Sequence, residues 1–216
     1  MKWTQLNLNH CEAAQALLTQ SIRERSTDVA IICEPYKPIA GSGWVAIATV
    51  ASNWKLRQFQ TMLVEISEDA RNRAPLVIAA DFNAWAVEWG SKETNARGTT
   101  LLDEFAALDL GLANDGQELT YCNAGRGSII DLTLLSSSLY RLTTWKVSNE
   151  FTFSDHRAVL FEIHGRGRRK QQPKTKGPKW MDNSLDEETY TDSLTSSNSC
   201  ITYSPISAYF NGGCPS

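Results

Sequence analysis

Short apolar runs and longer stretches with helical spacing alternate along the first 164 residues. Apolar runs of strand length predict β-strands at 3–9, 28–33, 75–80, 119–122, 129–135, 142–147 and 158–163. Apolar residues spaced three and four positions apart predict helices at 11–25, 54–71 and 95–108. The second half of this region is therefore rich in strands and has no regular crossover helices.

This order of elements disfavours a simple doubly wound parallel sheet, which needs a helix between successive strands. We predict an α+β fold in which two mixed β-sheets pack together and helices cover them, as a four-layer α/β/β/α sandwich. The predicted domain spans residues 1–164. The rest of the chain, 165–216, begins with seven basic residues and no acidic one in 165–179 and then becomes Ser/Thr-rich and acidic. Such a composition is typical of a basic linker and a disordered tail.

Charge and cysteine content restrict the function classes. Residues 1–164 contain 14 Lys and Arg against 19 Asp and Glu, so the predicted domain is acidic. A nucleic-acid-binding domain usually has a basic face, so the charge argues against strong DNA affinity, although clustered carboxylates suit a metal site. The five cysteines are scattered and form no CxxC pair, which disfavours structural zinc and favours a reducing compartment.

No apolar run approaches the roughly 20 residues that a membrane span requires. The first residues, Met1-Lys2-Trp3, do not begin a signal peptide. We therefore expect an intracellular protein that is neither secreted nor inserted in a membrane. The sequence gives no indication of its oligomeric state.

Polar residues follow the ends of five apolar segments. They are Asn7 with Asn9, Glu34, Asp81 with Asn83, Asp131, and Asp155 with His156. Each one alone is compatible with an ordinary strand-to-turn ending. Strand ends are rigid, however, and a carboxylate at the end of a buried strand is costly unless it is paired or binds a cation. The five ends together predict one site.

The motifs that contain these residues carry a family resemblance. They are Leu-Asn-Leu-Asn, Ile-Cys-Glu-Pro, Ala-Asp-Phe-Asn-Ala-Trp, Ser-Ile-Ile-Asp-Leu-Thr and Phe-Ser-Asp-His-Arg-Ala. In order and identity, they resemble the endonuclease/exonuclease/phosphatase superfamily. The variants Glu-Trp-Gly-Ser (88–91), Thr-Asn-Ala-Arg-Gly (94–98) and Leu-Ala-Asn-Asp-Gly (112–116) are similar to the apurinic-like endonuclease of insect non-LTR retrotransposons.

The resemblance implies a bound divalent cation, Mg²⁺ or Mn²⁺. Glu34 would be its principal carboxylate, with Asn7 and Asp155 close to the ion. One or two protein carboxylates suffice for Mg²⁺, which keeps several of its waters. Asn9, two residues after Asn7, would support these ligands.

The resemblance also implies the catalytic groups. Asp81 would orient or deprotonate the attacking water, and Asn83 would contact water or phosphate. His156 would lie against the phosphate while Asp131 holds its imidazole. Two arginines in loops, Arg97 and Arg126, are the candidate phosphate contacts.

The implied function is metal-dependent nicking of DNA, which leaves a 3′-hydroxyl that primes reverse transcription. A reverse transcriptase module would then follow downstream, and the protein would act in the nucleus. Two alternatives stay open. One is a catalytically inactive retroelement relic or nucleic-acid-binding fragment, and the other is a superfamily enzyme that cleaves phospholipid or inositol phosphates.

The chain departs from the family pattern near residues 44–54. The family has several more strands there, one of which ends in a tyrosine. The stretch that would carry it, Val50–Asn53, contains no tyrosine. We therefore expect a shortened domain that lacks some central strands, and this puts its activity in doubt.

Overall fold

The computed structural model describes residues 1–37, 44–47, 53–71, 73 and 75–165, and for 44–47 it describes the backbone alone. The predicted disordered tail and the stretch expected to lack the tyrosine lie largely outside these residues. Over the described part, the chain forms β1 (Lys2–Asn7), α1 (Glu12–Arg25), β2 (Val29–Cys33), β3 (Trp44–Ile47), α2 (Leu56–Ala70), β4 (Val77–Asp81), a 3₁₀ turn (Val87–Trp89), α3 (Ala96–Phe105), β5 (Leu110–Leu112), β6 (Tyr121–Asn123), β7 (Arg126–Ser128), β8 (Asp131–Ser136), α4 (Ser137–Tyr140), β9 (Thr143–Val147) and β10 (Val159–Ile163).

The larger sheet, called here the first sheet, has five strands in the order β3-β2-β1-β10-β9. Strands β1, β2 and β3 are parallel, whereas β10 and β9 run antiparallel to their neighbours. Asn7 pairs with Cys33, and Gln5 pairs with Val159. The ends of β1 and β2 and the beginning of β10 therefore lie at one edge of this sheet.

The second sheet has the order β4-β8-β5. Both of its pairings are antiparallel, so this sheet is not mixed as the sequence suggested. Antiparallel pairing brings the end of β4 beside the beginning of β8, where Asp81 and Asp131 are register partners. Strands β6 and β7 form a separate hairpin that turns at Ala124 and Gly125, both with positive φ.

Three apolar clusters define the layers. The first lies between α1 and the first sheet, around Leu6, Leu18 and Ile32. The second lies between the two sheets, where Ala79 of the second sheet packs with Ile31, Val147, Val159 and Phe161 of the first. The third packs α2 and α3 against the second sheet. This arrangement confirms the predicted four-layer α/β/β/α fold.

Helix α2 shows why the apolar periodicity was informative. Met62 and Leu63 lie three and four residues after Phe59, and Ser67 lies four residues after Leu63, so all four are buried on one face. At its start, the Gln58 side chain accepts a hydrogen bond from the Lys55 amide at 2.9 Å, which satisfies one N–H before the helix. None of the described helices is long and apolar enough to cross a bilayer.

Candidate active site

Two buried carboxylates form the floor of the site. Asp81 ends β4 and Asp131 begins β8, and each is at most 3% exposed. Strand pairing fixes them side by side because the backbone ladder determines which residues face each other. Adjacent buried carboxylates repel each other, so the site needs positive charge or a proton to be stable.

His156 supplies that positive charge. Its Nδ1 lies 2.8 Å from Asp131 Oδ2 inside the protein. Burial alone would lower the pKa of His156, but the hydrogen bond and charge of Asp131, together with the charges of Asp81 and Asp155, raise it to about 9. The imidazole is therefore cationic at neutral pH. Its Nε2 lies 3.9 Å from both Asp81 Oδ2 and Asp155 Oδ1, beyond hydrogen-bond distance.

Asp81 is held by two donors. Asn7 Nδ2 donates to Asp81 Oδ2 at 2.9 Å, and the Asn83 amide donates to Asp81 Oδ1 at 2.9 Å. Burial and the neighbouring Asp131 nevertheless raise the pKa of Asp81 to about 7, against the lowering effects of His156 and the two hydrogen bonds. Each carboxylate oxygen accepts one of these two bonds, which leaves acceptor capacity for a water molecule.

Asp155 lies at the more open side of the site. Asn9 Nδ2 and Asn123 Nδ2 donate to its two carboxylate oxygens, each at 3.2 Å. The Asn9 amide in turn donates to Asn7 Oδ1 at 2.8 Å. Asn7 therefore bonds Asp81 through its nitrogen and the β1 turn through its oxygen, and it links the two halves of the site.

Glu34 follows β2 at the same edge as Asn7. Its backbone is left-handed, with φ of 47°, and its carbonyl accepts a hydrogen bond from the His10 amide at 2.9 Å. Asn9 and Asn83 share the left-handed backbone, which asparagine tolerates far better than glutamate. A strained backbone at Glu34 persists only where the surroundings fix it, and such positions cluster at functional sites.

The donor set of the site suits a hard divalent cation. Among the described residues, Asp81, Asp131 and His156 offer ligand atoms that all lie within 4.8 Å of one another. The buried Asp131 Oδ1 has no hydrogen-bond partner, which leaves it with unused acceptor capacity. Because His156 is protonated, however, oxygen ligands are the realistic donors for Mg²⁺. Glu34 and Asp155 lie outside the group of three and add two further carboxylates at this edge.

Sequence reasoning missed the side chains that hold the site loops. Thr120 is fully buried, and its Oγ1 accepts hydrogen bonds from the Ile130 and Asp131 amides at 3.1 Å. Asn114 Nδ2 donates to the Asp131 carbonyl at 3.0 Å, and its Oδ1 accepts from the Thr133 amide. Neither residue stands at the end of a long apolar run, so the pattern that revealed the carboxylates gave no signal for them.

Two hydroxyl groups fix the loop that carries Asp155 and His156. Ser154 Oγ donates to the Asn7 carbonyl at 2.8 Å, which ties the loop to the end of β1. Thr152 Oγ1 donates to the His156 carbonyl at 2.7 Å. On the hairpin side, the Tyr121 ring meets the His156 ring edge-on, with centroids 5.0 Å apart. These contacts restrict the imidazole to one orientation.

Gly98, in the Thr-Asn-Ala-Arg-Gly motif, allows close packing of α3 against the loop after Asn83. A Cβ on Gly98 would lie 1.9 Å from the Trp85 carbonyl oxygen, so only glycine lets α3 approach the loop after Asn83. Asn95 caps α3 by accepting from the Gly98 amide at 2.8 Å and also accepts from the Trp85 amide at 3.2 Å. Trp85, Asn95 and Gly98 therefore hold the loop after Asn83 against α3.

The predicted phosphate contacts differ in exposure. Arg126 is exposed on the β6–β7 hairpin, opposite Asn123. The Arg97 guanidinium instead donates to the Trp54 carbonyl at 2.7 Å and lies 5.1 Å from the centre of the Phe59 ring. Arg97 therefore has a structural task, and its role toward phosphate stays a prediction.

Comparison with known proteins identifies the family and the fold. The endonuclease-reverse transcriptase family matches residues 44–160, which is more than half of the chain. The structure is similar to the endonuclease domain of TRAS1, a telomere-specific non-LTR retrotransposon, with a TM-score of 0.65. The two share 21% sequence identity, and the match covers 76% of this chain and 99% of that one, which supports the fold. No curated protein matches. The family match confirms the resemblance drawn from the motifs, and the chain belongs to the endonuclease-reverse transcriptase family.

Proposed function

We propose that this protein nicks DNA by divalent-metal-dependent hydrolysis of a phosphodiester and leaves a 3′-hydroxyl that primes reverse transcription. The observation that carries the proposal is the joining of Asn7–Asp81 and Asp131–His156 from different sheets into one buried cluster. Each pair alone would be an ordinary buried contact. Together they supply a base, an acid and their supports within one hydrogen-bonded network.

Asp81 is the proposed base. A carboxyl group whose pKa is about 7 can accept a proton from water at neutral pH far better than an ordinary aspartate. The bonds from Asn7 and Asn83 fix the direction of both oxygens. We expect the attacking water to lie against this carboxylate, with its oxygen directed at the phosphorus.

His156 is the proposed partner of the phosphate. Asp131 occupies Nδ1, so Nε2 with its proton is the atom that can reach a phosphoryl oxygen. A fixed imidazolium stabilises negative charge that develops there in the transition state. The water oxygen forms a bond to phosphorus while Asp81 accepts one proton of that water. The bond from phosphorus to the 3′ oxygen breaks, and that oxygen takes a proton from solvent and leaves as a hydroxyl.

Glu34, Asn7 and Asp155 are the residues proposed to hold Mg²⁺ or Mn²⁺. When bound, the cation would polarise the phosphate and take up charge from the leaving oxygen. The acidic charge of this edge supports the proposal because a second positive group is needed besides His156. Within the proposed function, a reverse transcriptase module accompanies the nuclease and the protein works on nuclear DNA.

The test is nicking of supercoiled plasmid by the purified chain with Mg²⁺. Conversion to open circles is expected, with loss of activity in Asp81→Ala and His156→Ala. Matched controls are Asp103→Ala on the exposed side of α3 and His164→Ala after β10, and both should nick as the wild type does. Extension of the nicked strand by a DNA polymerase tests for the 3′-hydroxyl directly.

A folded wild-type protein that nicks no faster than its Asp81→Ala variant would refute the enzymatic proposal. The chain would then be an inactive relic that retains the family fold. Circular dichroism of both proteins separates this result from simple misfolding. Chelation of the metal should abolish nicking, and added Mg²⁺ or Mn²⁺ should restore it.

A further inference from the structure

Two phenylalanines near the site are exposed to solvent. Phe151 is 72% exposed and Phe153 is 52% exposed, on the loop between β9 and β10. Phe151 is the most exposed large hydrophobic residue in the described part of the chain. The two rings contact each other edge-on with centroids 4.5 Å apart, so they form one apolar surface, called here the aromatic pair. Single exposed apolar residues are ordinary, but two exposed aromatic side chains in contact with each other indicate an interaction surface.

The backbone beneath the aromatic pair is strained and locked to the site. Phe153 has a left-handed backbone with φ of 58°, a region where a bulky residue is an outlier. Its neighbours Thr152 and Ser154 are held by the bonds to the His156 and Asn7 carbonyls. Glycine or asparagine would fit this backbone with less strain. The fold therefore does not require an aromatic side chain here, and its presence points to a ligand.

Charge narrows the chemistry of that ligand. The predicted domain is acidic, and two arginines at this loop are already paired, Arg25 with Glu150 and Arg157 with Glu118. Contacts from the domain to phosphates would therefore give little affinity for DNA, and the seven basic residues of 165–179 would attract paired and unpaired DNA alike. Aromatic rings attract nucleic acid in another way, because every base has a face that can stack on them. In an intact duplex these faces are covered by neighbouring bases.

We propose that the aromatic pair stacks against an unpaired base beside the scissile phosphodiester. The preferred substrate is then DNA whose strands are locally open at the cleavage point, such as a bubble or a frayed end, rather than a continuous duplex. This inference rests on the proposed function, since it assumes that the site acts on DNA. It adds which form of DNA the site selects and which residues select it.

The experiment measures binding of the full chain to fluorescent oligonucleotides with the metal chelated, so that no cleavage occurs. One duplex is fully paired, and the other carries a short bubble of the same sequence. Wild-type protein should bind the bubble about tenfold more tightly, and raising the salt concentration should leave this preference for the bubble nearly unchanged. Phe151→Ala and Phe153→Asn should each remove most of this preference and leave duplex binding nearly unchanged.

Two features keep the test independent of folding. Phe153→Asn suits the left-handed backbone, so its thermal stability should equal or exceed that of the wild type. Val64→Ala removes another exposed apolar side chain, 39% exposed on α2, and should keep the preference for the bubble. If both phenylalanine variants bind bubble and duplex as the wild type does, the inference is overturned. The same holds if they alter only the oligomeric state, because the pair would then contact protein.

Failure of this inference can be told apart from failure of the proposed function. A protein that nicks plasmid but binds bubble and duplex equally would keep the endonuclease and lose the stacking role. A protein that prefers the bubble through its phenylalanines but nicks nothing would keep the binding surface and lose the enzyme. Asp81→Ala should retain the preference in either case.

Discussion

The two sheets contribute to the site in different ways. The second sheet supplies Asp81 and Asp131 from within paired strands, and both are almost completely buried. The first sheet supplies Asn9, Glu34 and Asp155 from the turns that follow or precede its strands, and these side chains are partly or fully exposed. Strand pairing fixes the carboxylates of the second sheet. The first sheet also supplies two buried groups, Asn7 and His156, but its turns leave Asn9, Glu34 and Asp155 more open to solvent.

This difference indicates that the buried and the exposed groups of the site have different chemical roles. Burial in the second sheet shifts the pKa of Asp81 upward, and it gives the charge of Asp131 its strong effect on His156. The more exposed carboxylate oxygens of Glu34 and Asp155 can exchange water, as ligands of Mg²⁺ must. We infer that the carboxylates of the second sheet, together with His156 from the first sheet, set proton transfer. The exposed carboxylates of the first sheet set metal binding.

The largest effect is expected for Asp131→Asn. The variant removes the charge that keeps His156 protonated and leaves the imidazole without its anionic partner. Nicking at saturating Mg²⁺ should fall by about 10²–10⁴-fold, while the Mg²⁺ concentration for half-maximal activity stays nearly the same. Single-turnover nicking measured over a range of Mg²⁺ checks both values. A large rise in the metal requirement would contradict the separate roles of the buried and the exposed groups.

A smaller effect is expected for the carboxylates of the first sheet. It concerns the Mg²⁺ requirement rather than the rate at saturating Mg²⁺. Glu34→Gln and Asp155→Asn should raise the Mg²⁺ concentration for half-maximal nicking by about 10–100-fold. Excess metal should restore much of the rate because the proton-transfer groups are intact. Glu68→Gln on the exposed face of α2 is the matched control and should leave the titration unchanged. If excess Mg²⁺ rescues neither variant, their carboxylates do more than hold metal.

The same contrast explains what sequence alone could predict. Asp81 and Asp131 follow apolar residues and His156 precedes an apolar run, so pattern and family resemblance together located the cluster. The second sheet was expected to be mixed, but the pairing of β4 with β8 depends on long-range contacts that leave no local signal. Three-residue strands such as β5 and β7 were also missed, because so few residues cannot show a period.

The supports of the site were harder to foresee for a different reason. Thr120 and Asn114 act by bonding backbone amides and carbonyls of β8 at distances of about 3 Å. Threonines and asparagines are common in loops. Only the folded chain shows which of them forms hydrogen bonds with backbone N–H and C=O groups of a strand. Arg97 was expected in a loop, but it lies in the first turn of α3 and its guanidinium bonds the Trp54 carbonyl. Its role toward phosphate stays a prediction.

A third prediction concerns the pH dependence of nicking, in which Asp81 and His156 should titrate at different pH values. Asp81 must be ionised to accept a proton, so kcat/KM should rise as pH passes about 7. His156 must be protonated to stabilise the phosphate, so kcat/KM should fall as pH passes about 9. Each limb should approach tenfold per pH unit. Measured limbs at ordinary aspartate and histidine values, near 4 and 6.5, would mean that burial does not shift these groups in the active protein.

The smallest effect is expected beneath the site, where a polar contact joins the sheets. Thr133 Oγ1 donates to Gln5 Oε1 and accepts from Trp145 Nε1, both at 3.1 Å, which connects β8 with β1 and β9. Thr133→Val keeps the side-chain shape but leaves two buried polar groups without their partner. The free energy of unfolding should fall by about 1–3 kcal/mol, measured by urea denaturation, with the nicking rate of the folded protein nearly unchanged.

Thr133→Ser is the matched control because it keeps the hydroxyl and removes one methyl group. It should lose less stability than Thr133→Val if the hydrogen bonds matter more than the packing. The opposite order would show that the sheets are joined by apolar contact around Val147 and Phe161 alone. A fall in nicking rate in the folded Thr133→Val protein would show that the placement of Asp131, two residues earlier on β8, depends on this contact. The site would then require both sheets for the alignment of its buried groups.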